Sequence, residues 1–121
     1  AETEILAGRE ALVTIVHNLL SNAVKFSPDG GHVVITLASD VRQASLDVID
    51  QGKGVDTQDA GKIFEPFYRS AASRQVAGVG LGLAIAQQFV LAMRGELTLV
   101  SSAAGAHFRV LLPIDAPYLR V

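Results

Sequence analysis

The sequence contains no cysteine in its 121 residues. A disulfide scaffold and a metal site built on thiolates are therefore excluded. The three histidines, His17, His32 and His107, lie far apart and lack the spacing of metal ligands. We expect no structural zinc.

Charge is sparse and nearly balanced between the two signs. Ten basic residues stand against twelve acidic residues, which gives a formal net charge of −2 at pH 7. The basic residues are scattered, without the stripe or the aromatic interleaving that is typical of nucleic-acid binding. No apolar stretch approaches the roughly 20 residues that a membrane-spanning helix needs. Nucleic acid is therefore a disfavoured partner, and no segment of this chain is expected to cross a membrane.

Apolar residues, by contrast, are plentiful. They make up 50% of the chain, and the mean hydropathy is +0.36. A chain of this length and composition can bury a core and fold as one domain. It begins without methionine, in the middle of a pattern, and shows no signal peptide. We therefore expect a single domain, residues 1–121, that is a piece of a longer protein.

The spacing of apolar residues predicts alternating helices and strands. A strand fragment comes first, followed by a helix over residues 9–26 and a β-hairpin over residues 33–38 and 45–49. A short helix over residues 56–63, a loop and an apolar helix over residues 81–93 come next, with Gly95 as a left-handed cap. Two more strands, residues 96–101 and 107–112, complete the pattern. It is typical of an antiparallel or mixed sheet with helices on one face.

Three segments carry candidate chemistry, and the first lies on the long helix. Asn18, Asn22 and Lys25 fall within a stripe about 60° wide, between the apolar face and the solvent face. Two amide oxygens and an ammonium suit a magnesium-bound polyphosphate, because amide carbonyls bind hard cations and lysine supplies a point charge. A solvated helix edge is the alternative, and these residues alone favour it.

The second segment is Asp50-Gln-Gly-Lys-Gly54. Asp50 shares its strand face with Leu46 and Val48, so its carboxylate is expected to point inward and to need a hydrogen-bond donor. The exocyclic amine of adenine would be such a donor, and Gly52 and Gly54 would let the backbone approach a flat base. A tight turn in which the aspartate caps nearby amides is the alternative.

The third segment, Gly78-Val-Gly-Leu-Gly82, directly precedes the apolar helix. Free amides and the helix dipole favour phosphate there. A dinucleotide-binding fold would need a strand just before these glycines, but residues 70–77 are rich in serine and alanine and show no alternation. A mobile lid over a triphosphate fits this composition better, and a flexible surface loop is the alternative.

Four boxes in register resemble one known family. Asn18-Leu-Leu-Ser-Asn22-Ala-Val-Lys-Phe-Ser-Pro28 resembles its N box, Asp50 to Gly54 its G1 box, Phe64-Glu-Pro-Phe-Tyr-Arg69 its F box, and Gly78 to Gly82 its G2 box. Over essentially its whole length the chain is similar to the catalytic ATP-binding domain of sensor histidine kinases. That domain belongs to a superfamily shared with gyrase, mismatch-repair and heat-shock chaperone proteins.

The resemblance implies an α+β fold: a two-layer sandwich of the Bergerat type. Its mixed, mostly antiparallel sheet would have about five strands, with three helices on one face and an ATP lid over residues 69–80. The implied cofactors are ATP and Mg²⁺. Asn22 would bind the metal, Lys25 and Arg69 would contact phosphates, and Asp50 would bind adenine. The implied nucleotide site is lined by Asn18, Asn22, Lys25, Phe26, Asp50, Gly52, Gly54, Val55, Phe64, Phe67, Tyr68, Gly78, Val79, Gly80, Leu81, Gly82, Leu83 and His107.

Two of these positions differ from those of relatives. Asn18 differs from the hydrolytic members of the superfamily, and His107 differs from the usual residue in the kinases. Hydrolytic relatives carry a glutamate base where this chain has Asn18, and an amide cannot accept a proton as a carboxylate does. The catalytic set of Asn18, Asn22, Lys25 and Arg69 is therefore expected to serve phosphoryl transfer rather than rapid hydrolysis. His107 replaces a hydroxyl residue that lies near adenine in the kinases.

The implied function is that of a protein histidine kinase. The phosphate acceptor would be a histidine on a separate dimerisation domain of the parent, with a response regulator acting downstream. The isolated domain would be monomeric and cytoplasmic, and the parent a homodimer anchored in the bacterial inner membrane. A related serine kinase or ATPase, or an inactive nucleotide-binding module, is the alternative.

Overall fold

The computed structural model describes residues 2–68, 81–100 and 105–113. It begins with helix α1, Glu2–Phe26. The prediction of a strand fragment before this helix is wrong, because the helix already includes residues 2–8. Four of its seven residues, Glu2, Glu4, Leu6 and Ala7, are strong helix formers. Within the described ranges, no helix is both long enough and apolar enough to span a membrane.

The predicted hairpin is confirmed. Strand β1, Val34–Ser39, pairs antiparallel with strand β2, Gln43–Ile49. Asp40 forms the turn, since its Oδ1 accepts hydrogen bonds from the backbone amides of Arg42 at 2.7 Å and Gln43 at 2.9 Å. An aspartate that caps its own turn in this way fixes the register of the two strands.

The remaining elements follow the predicted order. They are helix α2, Thr57–Ala60, helix α3, Gly82–Ala92, strand β3, Glu96–Val100, and strand β4, His107–Pro113. The sheet has the order β1-β2-β4-β3, and each neighbouring pair is antiparallel. The described part of the chain thus contains four strands where about five were predicted, and none of its strand pairs is parallel.

The core lies between one face of the sheet and the two longer helices. Strand β4 alternates between buried and half-buried residues, with Phe108, Val110 and Leu112 on the inner face. From α1, Ile15 and Leu19 are fully buried against that face. Alternate residues of the strand thus pack against one face of the helix, which confirms a two-layer α+β domain. Strand β1 lies at the edge of the sheet, and all six of its residues are exposed.

The link between α3 and β3 differs from the prediction. Arg94, not Gly95, has the left-handed conformation, with φ of 60°. Gly95 is needed for another reason, because a Cβ there would collide with the carbonyl oxygen of Leu111 on β4. The amide of Gly95 donates to the carbonyl oxygen of Val90 at 2.9 Å and so closes the helix. A residue with a side chain therefore holds the strained position, and the glycine allows close packing.

We predict that Arg94→Gly stabilises the domain by about 0.5–1 kcal/mol, because glycine adopts positive φ without a steric penalty. Thermal unfolding would measure the change. Arg94→Ala is the matched control, since it removes the same side chain but keeps the strain. An equal gain from alanine would show that the backbone conformation is not the cause.

Candidate functional site

The candidate site is built around the end of β2. Asp50 is 2% exposed and points inward, as its parity on the strand predicted. Its amide donates to the carbonyl oxygen of Ala106 at 3.0 Å. Its Oδ1 accepts hydrogen bonds from the amides of Gly52 at 2.9 Å and Ala106 at 3.0 Å. Both side-chain bonds go to one oxygen, and neither goes to Oδ2, so the carboxylate is held in a defined orientation.

Glycines bring the backbone of three segments close to Asp50. A Cβ at Gly52 would collide with the carbonyl oxygen of Phe26, the last residue of α1. A Cβ at Gly105, whose φ is 71°, would collide with the carbonyl oxygen of Asp50 itself. Glycine is therefore required at both positions. The end of α1, the end of β2 and the start of β4 meet here with backbone against backbone.

A second part of the site lies where α1 meets the start of α3. Asn18 donates from Nδ2 to the carbonyl oxygen of Thr14 at 2.9 Å. Its Oδ1 would stand 3.3 Å from a Cβ built on Gly82, the first residue of α3. The predicted N box and the end of the second glycine run are therefore in contact. The side chain of Leu81 makes no capping hydrogen bond, and the first turn of α3 carries no acidic residue. Such a helix start suits an anion.

The two parts lie along the same side of α1. Asn18 and Asn22 are half-buried and Lys25 is exposed, as expected for the edge of a cleft. From Asn18 to Phe26 the helix rises about 12 Å at 1.5 Å per residue. A ligand that reaches from Gly82 to Asp50 would therefore run along this helix edge.

The F box contributes to packing in the described structure. The Phe64 ring packs edge to face against Phe108, with centroids 6.1 Å apart. Tyr68 donates a hydrogen bond to the buried Asp59 of α2. Phe67 is 68% exposed and has a positive φ of 64°.

Of the other predicted contacts, Val55 and Leu83 are half-buried and pack against the core. Gly54 lies against Gly105. Arg69, Gly78, Val79 and Gly80, together with the predicted lid, lie outside the described residues.

The described residues offer few side chains that could bind a divalent cation such as Mg²⁺. Among the described residues, no group of three or more His, Asp or Glu side chains could hold a metal ion. The amide oxygen of Asn22 is the donor that the sequence predicted. Mg²⁺ usually keeps several waters and binds few protein groups together with substrate phosphates, so a single amide donor beside a phosphate site is compatible with it.

Sequence reasoning missed a cluster on the opposite face of the sheet. Oδ1 of Asp47 accepts from Nε2 of His107 at 2.6 Å and from Nε of Arg109 at 2.8 Å. Burial would raise the pKa of Asp47, but the hydrogen bonds and charges of His107 and Arg109 outweigh burial and lower its pKa. The signal was available, since strand parity places all three residues on one face.

This cluster also corrects the expected position of His107. Its imidazole bonds to Asp47 on the outer face instead of lining the pocket. The residue that reaches Asp50 is its neighbour Ala106, through backbone groups. The physical reason is parity: Phe108 belongs to the core, so His107 must face the other way.

The antiparallel sheet with helices on one face defines a two-layer α+β domain. A buried aspartate lies at the end of one of its central strands. The model of one family, described as histidine kinase-, DNA gyrase B- and HSP90-like ATPase, matches residues 7–116. The chain belongs to this family. The resemblance seen in the sequence is thereby confirmed.

Individual proteins agree with this placement. The signal transduction histidine-protein kinase/phosphatase MprB of Mycobacterium avium (strain 104) is 44% identical over 104 residues, which make up 81% of this chain and 20% of that protein. The chain thus spans about a fifth of the length of this curated relative.

Solved structures agree as well. A structure of the mycobacterial sensor histidine kinase MprB has a TM-score of 0.80 and 41% identity, and the match covers 86% of this chain and 72% of that one. A crystal structure of full-length ShkA in complex with AMPPNP has a TM-score of 0.72 and 32% identity, covering 85% of this chain and 21% of that one.

The outer-face cluster generates a prediction about acid stability. Because the pKa of Asp47 is lowered in the folded state, the unfolded state binds the proton more tightly. The ionised Asp47 carboxylate therefore stabilises the fold at pH values above its ordinary pKa of 3.8. Asp47→Asn should therefore lower the free energy of unfolding by about 1–2 kcal/mol near neutral pH. The difference should shrink as the pH falls below about 4. Urea unfolding of both proteins across this range measures it, and a difference that stays constant down to pH 3 would contradict the assignment.

Proposed function

We propose that this domain binds Mg²⁺-ATP and donates the γ-phosphoryl group to a histidine on a separate dimerisation domain of a longer sensor kinase. The observation that carries the proposal is the pair of sites along α1. One end presents a buried, oriented carboxylate, and the other presents an uncapped helix start beside an asparagine. A carboxylate can accept a hydrogen bond from adenine, and an uncapped helix start beside an asparagine can bind a polyphosphate.

At the base end, Asp50 is the recognition group. Two backbone amides hold Oδ1, so Oδ2 can accept from an exocyclic amine without a competing bond from those amides. Adenine has such an amine, whereas a base with a carbonyl at that position would present an acceptor to an acceptor. Gly52 and Gly54 keep side chains away from the plane of the base.

At the phosphate end, the start of α3 supplies amide donors and the positive end of the helix dipole. Asn22 would bind the metal, and Lys25 and Arg69 would contact phosphates. When bound, Mg²⁺-ATP supplies a γ-phosphoryl group that leaves the bridging oxygen of ADP and forms a bond with a ring nitrogen of the acceptor histidine. The task of the chain is to hold the two reacting atoms in line.

Asn18 favours transfer over hydrolysis. Its amide nitrogen donates to Thr14, which leaves the amide oxygen directed towards Gly82. An amide at this position can orient a ligand or a water molecule, but it cannot take a proton from water. A general base that would promote hydrolysis is therefore missing where the hydrolytic relatives carry one.

The names of the relatives support the rest of the proposal. MprB is named a histidine-protein kinase/phosphatase, and ShkA was crystallised with an ATP analogue. By analogy, the parent would be a homodimer that passes the phosphoryl group to a response regulator, and this domain would lie on the cytoplasmic side of the inner membrane. A serine kinase or ATPase of the same family is the competing function.

We predict that calorimetry will detect Mg²⁺-dependent binding of an ATP analogue by the 121-residue chain. Asp50→Ala should abolish measurable binding, because the base loses its acceptor. Asn22→Ala should weaken binding roughly tenfold and reduce its dependence on Mg²⁺. Glu96→Ala is the control, since it removes an exposed carboxylate on β3 opposite Leu111, at the end of the sheet far from Asp50. Equal affinities of the Asp50 variant and the unaltered chain would refute the assigned base site.

The acceptor can be tested on the longer kinase. We predict that incubation with γ-labelled ATP gives a product whose label is lost in acid and kept in alkali, which is the behaviour of phosphohistidine. An Asn22→Ala parent is the matched control and should take up little label. A label that survives acid would favour the serine-kinase alternative, and release of inorganic phosphate alone would favour an ATPase.

A further inference from the structure

His107 lies at the border of the site without facing it. It is the first residue of β4 and stands directly opposite Ile49, the last residue of β2. Its imidazole is 16% exposed and bonds to Asp47 on the outer face of the sheet. Its neighbour Ala106 supplies the amide that holds Asp50 on the inner face. One short stretch of backbone therefore connects the two carboxylates.

Asp47 has two partners that stand at different distances from the pocket. Arg109 is directly opposite Asp47 and is 42% exposed, while His107 lies diagonally, two residues closer to Asp50. Both donate to the same oxygen, Oδ1. The bond to His107 links the first residue of β4 to Asp47, two residues before the end of β2, whereas the bond to Arg109 joins a directly opposite pair.

The end of this ladder is held by hydrogen bonds and by the side chain of Ala106, which is 7% exposed and belongs to the core. After the Ile49–His107 pair, the hydrogen bonds that join the described residues at this end are the backbone bond from Asp50 to Ala106 and the side-chain bond in return. Gly105, which comes next, packs through its backbone against the carbonyl group of Asp50. Strand ends open locally more often than strand centres. Once the amide of Ala106 moves away, one of the two donors that orient Asp50 is lost.

We propose that His107 is a positioning residue for base recognition: its bond to Asp47 keeps the amide of Ala106 on Asp50 and thereby orients that carboxylate towards adenine. The proposal rests on the function assigned to Asp50 above. It replaces the direct adenine contact that the family resemblance implied for His107. The imidazole acts from the opposite face of the sheet, through the strand.

The test compares the affinity of ADP with that of inosine diphosphate, measured by calorimetry on the 121-residue chain. Inosine carries a carbonyl in place of the exocyclic amine and a proton on N1, so the ratio of the two affinities reports on recognition of the base edge that faces Asp50. A general loosening of the domain would weaken both ligands and leave the ratio unchanged. His107→Ala should lower the ADP preference by up to about fivefold, the upper end of what loss of a cross-strand pair is expected to cost.

Two variants serve as matched controls. His107→Gln can still donate to Asp47, so it should keep the ADP preference to within about twofold. Arg109→Ala removes the other donor to the same oxygen and should also keep the preference. If His107→Ala retains the full preference, or if Arg109→Ala lowers it equally, the positioning role is overturned.

Failure of the underlying function would look different. If the unaltered chain binds both nucleotides equally, the assignment of Asp50 to adenine fails, and the role of His107 fails with it. A clear ADP preference that His107→Ala leaves intact would overturn only the role of His107.

If His107→Ala does not fold, a second measurement uses His107→Leu, which keeps a bulky side chain at this position. Amide hydrogen exchange at Ala106, measured by NMR without nucleotide, should be faster in His107→Leu than in His107→Gln, because leucine cannot donate to Asp47. Equal protection of this amide in the two variants would overturn the proposal without reference to nucleotide binding.

Discussion

The pair of hydrogen bonds between Asp50 and Ala106 is the contact on which the site depends. One bond continues the ladder from backbone to backbone, and the other returns from the Ala106 amide to the Asp50 carboxylate. The two residues are 56 positions apart in the chain. Their contact therefore requires the hairpin, the long helices and the last strand to be in place together. A buried carboxylate without this donor would be costly, so folding and the preparation of the base site are one event.

The same strand serves both faces of the sheet because side chains alternate. Leu46 and Val48 of β2 join the core, Asp50 continues their face at the strand end, and Asp47 faces outward. A shift of register by one residue would place Asp47 in the core and expose the core residues. The paired charges on the outer face and the apolar residues on the inner face therefore favour the same register. That register is the one that brings Ala106 to Asp50.

Local periodicity was sufficient for much of this architecture. It predicted the helices, the hairpin, the last two strands and the inward direction of Asp50, because each depends on a spacing of 2 or 3.6 residues. It did not predict the bond from Asp50 to Ala106, which depends on the register of distant strands. The role of Gly95 was assigned wrongly, because sequence shows that glycine is needed but not whether φ or close packing requires it. The position of His107 could have been predicted from Phe108 by parity, but the family resemblance favoured a contact with adenine.

The site is made largely of backbone, and this determines where substitutions should act. Phe26, Gly52, Gly105 and Ala106 contribute carbonyl groups, amides or the absence of a Cβ. An exchange of side chain leaves the carbonyl groups and amides in place, but any substitution at Gly52 or Gly105 adds a Cβ. The side chains that are proposed to contact the ligand are Asp50 at one end of the site and the asparagines of α1 at the other. Loss of function by substitution should therefore fall into two separate classes. Changes to Asp50 or to the asparagines of α1 should remove or weaken ligand binding, whereas a Cβ at Gly52 or Gly105 should separate the strands and disturb binding and stability together.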